Sequence, residues 1–301
     1  MEKEPHYKKV LLKISGEALA RPLPLLTELL DLKSRMLNDC MDLGDDLANR
    51  EENKKSLGIY RKWIDQIGNV LSQCSDSAKY SIDLDFLNKL TAMIGYCQEK
   101  YGVKFGIVAG GGNFWRGAKH DEIPRDYSDQ IGMLATLMNS RAIHSSFEKH
   151  AIESRLMTQQ DVRYYGEPFT PGRLKSHLEK GRIIIFAEGT GRPRHTTDSG
   201  AVERAAEMGA DIVFKLTDVD YIYSADPKKD YDAKPYLEIP YSEAVNLKAM
   251  DGTATQFACD NDIPIRLFNI NPIENLERAL FDEVGTLMSP KVKKMKFLDE
   301  K

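Results

Sequence analysis

Three short stretches of this 301-residue chain have the composition of anion-binding loops. Lys13 sits inside the apolar run "VLLKI", which leaves through Ser15 and Gly16. "FGIVA" runs into "GGGNFWRG", where Gly110, Gly111 and Gly112 carry no side chains and Arg116 follows. "RIIIFAE" runs into "GTGRPRHTTD", with Thr190, Gly191, Thr196 and Thr197 around the bulky, basic Arg192, Pro193, Arg194 and His195. Glycine-rich turns let backbone N–H groups close on an anion, and the cations add charge. The chemistry such loops serve is the holding of phosphate groups. Any one of them fits an ordinary tight turn equally well; three at equivalent places are harder to dismiss. Neither G-x-x-x-x-G-K-[ST] nor a helix-opening G-x-G-x-x-G occurs, which excludes a P-loop and the dinucleotide fingerprint.

A fourth stretch, "KLTDVDYIYSADPKKDYDAKP", runs from Lys215 to Pro235. It reads either as a Pro- and Asp-punctuated surface loop or as a nucleoside pocket. In the second reading Tyr221 and Tyr223 flank a base while Thr217 and Asp226 bond its polar edges.

These loops need elements to position them. "VLLKI", "FGIVAG", "RIIIFAE", "DIVFKLT" and "IPIRLFNI" are short, rich in Val, Ile, Leu and Phe, and not cleanly alternating. That pattern suits strands covered on both faces. Between them lie helical patterns, such as "DLDFLNKLTAMIGYCQEKYG", where Phe86, Leu90, Met93 or Ile94, and Cys97 recur and Gly102 can end the helix. The alternation predicts an α/β fold with a mainly parallel sheet, whose ligands bind at the carboxyl ends of the strands. A net charge of −4 gives no push toward nucleic acid or an anionic membrane, and no apolar run is long enough to span one. Cys40, Cys74, Cys97 and Cys259 form no C-x-x-C pair, and the six histidines show no metal-ligand spacing. A cytoplasmic protein with no structural metal is expected.

Six segments resemble the bacterial-type uridylate (UMP) kinase family of the amino acid kinase superfamily, in the family's order. They are "YKKVLLKISGEAL", "VAGGGNFWRG", "DQIGMLATLMN", "IIFAEGTGRPRHTTDSGA", "ADIVFKLTDVDYIYSADPKKD" and "AMDGTATQFACDNDIPIRLFNI". The resemblance covers Tyr7 to Leu19 and then about Ser81 to the C-terminus. It implies a single domain over 1–301 with a three-layer αβα sandwich and a mainly parallel central sheet. It also implies ATP- and Mg²⁺-dependent conversion of UMP to UDP in pyrimidine biosynthesis, and a homohexamer. By matched position, Lys13, Ser15, Gly16, Gly112 and Arg116 would face ATP phosphates, and Thr217, Tyr223 and Asp226 the ATP nucleoside. Gly111, Asp129 and the loop Thr190 to Thr197 would hold UMP, Asp129 on its ribose. Lys215 matches a strand-end lysine, and Asp198 an aspartate that organises the lysines. No metal ligand is carried over, because Mg²⁺ would travel with ATP. The residue inventory agrees, because a monophosphate acceptor is already anionic and needs fixed cations rather than a general base. A lysine buried in "VLLKIS" without an anion is also costly, which favours a phosphate partner for Lys13.

Two departures stand out. Residues 21–80 interrupt the match, and Leu29, Leu32, Met36, Cys40, Leu43 and Leu47, then Leu57, Tyr60, Ile64, Ile67, Leu71 and Cys74, follow helical spacing. An inserted helical hairpin is expected, either self-packed or docked on a neighbouring subunit in a region the family associates with GTP regulation. The second departure is the acceptor loop. The family reads Asn where Arg192 stands, an aromatic pair where Arg194 and His195 stand, and Gly where Tyr221 stands. Arg194 and His195 could grip the acceptor, change the accepted base, or make subunit contacts. Two further readings are a superfamily kinase with another acceptor and a non-catalytic nucleotide sensor.

Overall fold

The computed structural model describes residues 3–20, 35, 62, 64, 66, 82–117, 122–225, 232–247 and 249–300. The chain divides into two compact units, 1–19 with 84–301, and 20–83. In the smaller unit Ala20 and Ile82 form an isolated antiparallel bridge. Its described interior positions, Arg35, Lys62, Ile64 and Gln66, are helical. The expected hairpin otherwise lies outside the described residues.

The larger unit is built on one mixed, mostly parallel sheet of eleven strands. Its centre is β1 (Lys9–Ile14), β2 (Lys104–Ala109), β5 (Ile183–Phe186), β6 (Ile212–Thr217) and β9 (Ile265–Asn269). These are the five runs the sequence marks as buried strands. Short strands complete it: β3 (Ser154–Thr158), β4 (Glu167–Pro168), β7 (Ile222–Tyr223), β8 (Pro235–Ile239), β10 (Thr286–Met288) and β11 (Lys296–Phe297). The order is β11-β8-β10-β9-β6-β1-β2-β5-β3-β4, with β7 antiparallel to β8. β1 is parallel to both β2 and β6.

Helices cover both faces. On one lie α1 (Leu84–Tyr101), α2 (Arg125–Lys149) and α7 (Asn275–Ala279). On the other lie α3 (Pro171–Glu179), α4 (Thr197–Met208), α5 (Tyr241–Asn246) and α6 (Gly252–Asp260). α1 buries Leu87, Leu90, Ile94 and Cys97, so Leu87 rather than Phe86 begins its apolar stripe. Gly102 follows in a left-handed conformation with φ of +67°, a backbone state that suits glycine at a helix end. Side chains alternate between the faces of a strand. Leu11 and Val213 belong to the core beneath α4, with Val202 and Ala205 of that helix. Lys13 and Lys215, two residues further along each strand, therefore point to that same face.

Candidate active site

β1 and β6 run in parallel with Lys13 directly opposite Lys215. The N-terminal turn of α4 lies over the pair and places Asp198 between them. Lys13 Nζ is 3.0 Å from Asp198 Oδ1 and Lys215 Nζ is 2.6 Å from Oδ2. Lys215 Nζ also donates to the Ala249 carbonyl at 2.7 Å. All three side chains are at most 15% exposed. Burial works to raise the Asp198 pKa, but Lys13 and Lys215 together overcome it and hold the carboxyl below its ordinary value. Burial lowers the Lys215 pKa, and the nearby Lys13 charge adds to that against the pull of Asp198. One carboxylate facing two ammonium groups leaves a surplus of positive charge in a place where water screens poorly. Lys13 thus has an internal anion, which the sequence argument from burial alone did not supply. The surplus is what remains for a phosphate.

The end of α4 is held open toward the same place. Thr196 caps it, accepting the Ser199 N–H at 3.1 Å. The Thr196 hydroxyl donates to Asp251, which in turn caps α6 by accepting the Ala254 N–H at 2.8 Å. The unpaired N–H groups and dipole of a helix start favour anions.

In front of this centre is a cavity of about 390 Å³. It gathers most of the expected site residues: Lys13, Ser15, Gly16, Gly111, Gly112, Arg116, Asp129, Thr190, Arg192, His195, Thr196 and Thr197 all line it. Lys215 and Asp198 stand behind Lys13 rather than on the wall. Thr217 ends β6, where its hydroxyl accepts the Val219 N–H at 3.1 Å, and Tyr223 ends β7. Neither lines this cavity, and Asp226 lies outside the described residues. Gly191, with φ of +74°, makes the turn of the 190–197 loop, and Pro193 and Gly191 are likewise off the wall.

The glycines serve loop packing first. A Cβ on Gly16 would lie 2.4 Å from the Gly112 nitrogen, and one on Gly111 2.7 Å from the Gly132 carbonyl oxygen of α2. These contacts press the first two loops against each other and against α2. Buried Asn139 of α2 fixes the arrangement by donating to the Gly110 carbonyl at 2.6 Å and to Asn113 at 2.7 Å. Arg116 is ion-paired with Glu17, whose carboxylate lies where a Gly112 Cβ would be.

Arg194 does not line the cavity. It has a left-handed backbone, φ +67°, and its N–H donates to Asp129 at 2.8 Å. Its guanidinium turns outward to Asp126 at 2.9 Å, and the side chain is 70% exposed. Asp129 also receives Arg125 Nε at 2.8 and 3.0 Å. Of the two residues in place of the family's aromatic pair, only His195 faces the cavity. The sequence reading missed Glu17, Trp115, Arg125, Met133, Thr136 and Glu188, which also line it. Met133 and Thr136 lie one and two turns beyond Asp129 on α2, a helical spacing visible in "DQIGMLAT".

A doubly covered parallel sheet with its cationic centre at the strand ends is the architecture of a phosphate-handling α/β protein. The chain belongs to the amino acid kinase family, whose model matches residues 68–269. Among solved structures it resembles the UMP kinase from Bacillus anthracis, with 27% identity and a TM-score of 0.73, over 97% of this chain and 99% of that one. It also resembles the UMP kinase from Ureaplasma parvum, with 26% identity and a TM-score of 0.69, over 96% of this chain and 100% of that one.

Proposed function

We propose that the chain is a UMP kinase, moving the γ-phosphate of ATP to UMP and releasing UDP and ADP. The observation that carries this reading is the Lys13–Asp198–Lys215 cluster at the rear of a cavity walled by the acceptor loop. The acceptor phosphate is ionised at neutral pH, so its oxygen attacks without a base. The barrier lies in bringing two polyanions together and spreading charge as the phosphoryl group passes. Lys13 and Lys215, held rigidly by β-strands, meet that charge without reorganisation. Asp198 keeps both ammonium groups aimed. Gly111 and the α4 start receive the acceptor phosphate, with Asp129 and residues 190–197 around its nucleoside. Ser15, Gly16, Gly112 and Arg116 receive the donor phosphates, and Thr217, Tyr223 and Asp226 the donor nucleoside.

Mg²⁺ belongs to this reading as the ion carried by ATP. It retains several waters and is commonly bound through substrate phosphates. The donor set fits that arrangement, because both oxygens of Asp198 already face lysines and the centre is cationic. Bound there, Mg²⁺ neutralises part of the donor charge.

Assembly into a homohexamer belongs to the proposal as well. Tyr127, Leu134 and Met138 are exposed along one side of α2, an apolar stripe that a second copy would cover. No described helix is long and apolar enough to cross a membrane. We place the enzyme in the cytoplasm, as one domain interrupted at about 21–80. Release of ADP with Mg·ATP and UMP, CMP, dUMP, AMP or GMP tests the function. Turnover greatest with UMP supports it, and binding of nucleotide without turnover of any monophosphate would make the chain a sensor instead.

A further inference from the structure

We propose that Glu188 reads the acceptor base, its free carboxylate oxygen accepting the imide N–H of a keto pyrimidine. This rests on the UMP kinase reading and adds to it a specificity-determining residue.

Glu188 is only 3% exposed, yet it lines the acceptor side of the cavity. It has no ion-pair partner among the described residues. One oxygen, Oε2, accepts the Gln160 backbone N–H at 2.7 Å, and the other has no hydrogen bond among the described groups. A buried carboxylate that lacks a cation and uses half its acceptor capacity is costly unless something with a donor meets it. Its backbone is also left-handed, with φ of +65°, between β5 and two glycines of the same hand, Gly189 and Gly191. Glycine would be relaxed at that position, whereas a residue with a side chain is strained there. The strain is sustained by the Glu188 N–H donating to Thr136 at 2.9 Å and the Glu188 carbonyl accepting the Gly191 N–H at 2.9 Å. Backbone bonds therefore fix where the side chain starts, and Gln160 fixes where it ends.

Position selects the base rather than the phosphate. β5 lies two strands from β1, so Glu188 stands roughly 10 Å from Lys13 at the usual strand spacing. Its carboxylate leans further outward, toward Gln160, two residues beyond β3. With the acceptor phosphate near Lys13 and the ribose at Asp129, the far edge of the base comes to this wall. A carboxylate offers only acceptors, and uracil presents an N–H at N3 where cytosine presents a bare nitrogen. The plainer role, tying the Gln160 segment to the acceptor loop, needs only Oε2 and leaves the second oxygen and the strained backbone without purpose.

The Gln160 N–H supplies a sharp test. In Glu188→Gln that N–H still demands an acceptor, so the amide oxygen stays there and the NH₂ group turns to the base. A donor then faces the N3 position, which repels uracil and suits cytosine. Steady-state kcat/KM for UMP and for CMP is measured in wild type and Glu188→Gln, with calorimetric binding of UMP and of N3-methyl-UMP to each. We expect the UMP:CMP ratio of kcat/KM to fall at least about tenfold in the variant. The preference of wild type for UMP over N3-methyl-UMP should shrink alongside it. Equal losses for UMP and CMP, an unchanged ratio, or an unchanged N3-methyl penalty would overturn the assignment and leave Glu188 a structural tie. Wild type that binds UMP without phosphorylating it defeats the kinase reading while the binding arm still decides the role of Glu188. Wild type that does not bind UMP overturns both.

Discussion

The cavity has two kinds of charge, and they are held differently. At its rear, Lys13, Asp198 and Lys215 are largely buried, placed by strand register and a capped helix, and at most 15% exposed. At its mouth, Arg116–Glu17, Arg125–Asp129 and Arg194–Asp126 are ion pairs with half-exposed or exposed arginines. A pair exposed on both sides, as Arg194–Asp126 is, is worth about 0–1 kcal/mol and is screened by salt, whereas the Asp129 side chain is itself largely buried and only its arginine partner is at the surface. A buried carboxylate shared by two lysines is costly to break because it leaves uncompensated charge. The rear is thus fixed by internal partners, whereas Arg116 and Arg125, which line the cavity, are held on carboxylates that a bound anion could replace. Under the proposed function, the rigid cations would serve the transition state and the exchangeable ones capture and release.

Asp198→Asn attacks the fixed centre and should have the largest effect of the substitutions considered next. Two lysines are left facing each other, so we expect stability to fall by about 3–5 kcal/mol in urea unfolding. Turnover should fall by at least about a hundredfold. The pH dependence sharpens the same point. The folded pKa of Asp198 is depressed, so its stabilisation is present above the unfolded value of 3.8 and is lost as pH falls through the lower folded value. Urea midpoints of wild type should drop more steeply than those of Asp198→Asn as pH falls from about 5 to below the ordinary value of 3.8. Parallel curves would mean the triad is not a folding element.

The mouth should respond more gently. Glu17→Gln frees Arg116, and ATP dissociation constants at low salt should tighten by roughly three- to tenfold, an advantage that shrinks in high salt. A weaker ATP affinity would show that Glu17 organises the loop rather than guarding it. Arg194→Ala should change least. Thermal stability should move by under about 1 kcal/mol and KM for the acceptor by a few-fold, with kcat unchanged. A large loss of kcat would put Arg194 in the chemistry, against its outward direction.

The same contrast explains what the sequence disclosed. The five central strands were legible because they are continuous apolar runs. β3, β8, β10 and β11 were not, since "SRLMT", "PYLEI", "TLM" and "KF" are short and mixed. Lys13 was suspect as a lysine within an apolar run and Lys215 only through the family resemblance, and their opposition across β1 and β6 needs the strand order. Asp198 lies 185 positions from Lys13, and only the family resemblance linked them. Glu188 had a signal that went unused, a carboxylate closing the run "RIIIFAE" just before a glycine. The outward turn of Arg194 had none, because it depends on a left-handed residue and on Asp126 from a distant helix.

The central claim is that the fixed lysines at the rear carry phosphoryl transfer from ATP to UMP. Lys13→Ala tests it most directly, because Asp198 keeps Lys215 and the fold should survive, as circular dichroism would show. Single-turnover formation of UDP from UMP and Mg·ATP should fall by about a thousandfold, with the UMP dissociation constant within a few-fold of wild type. A folded Lys13→Ala protein that forms UDP at a near wild-type rate would contradict the account.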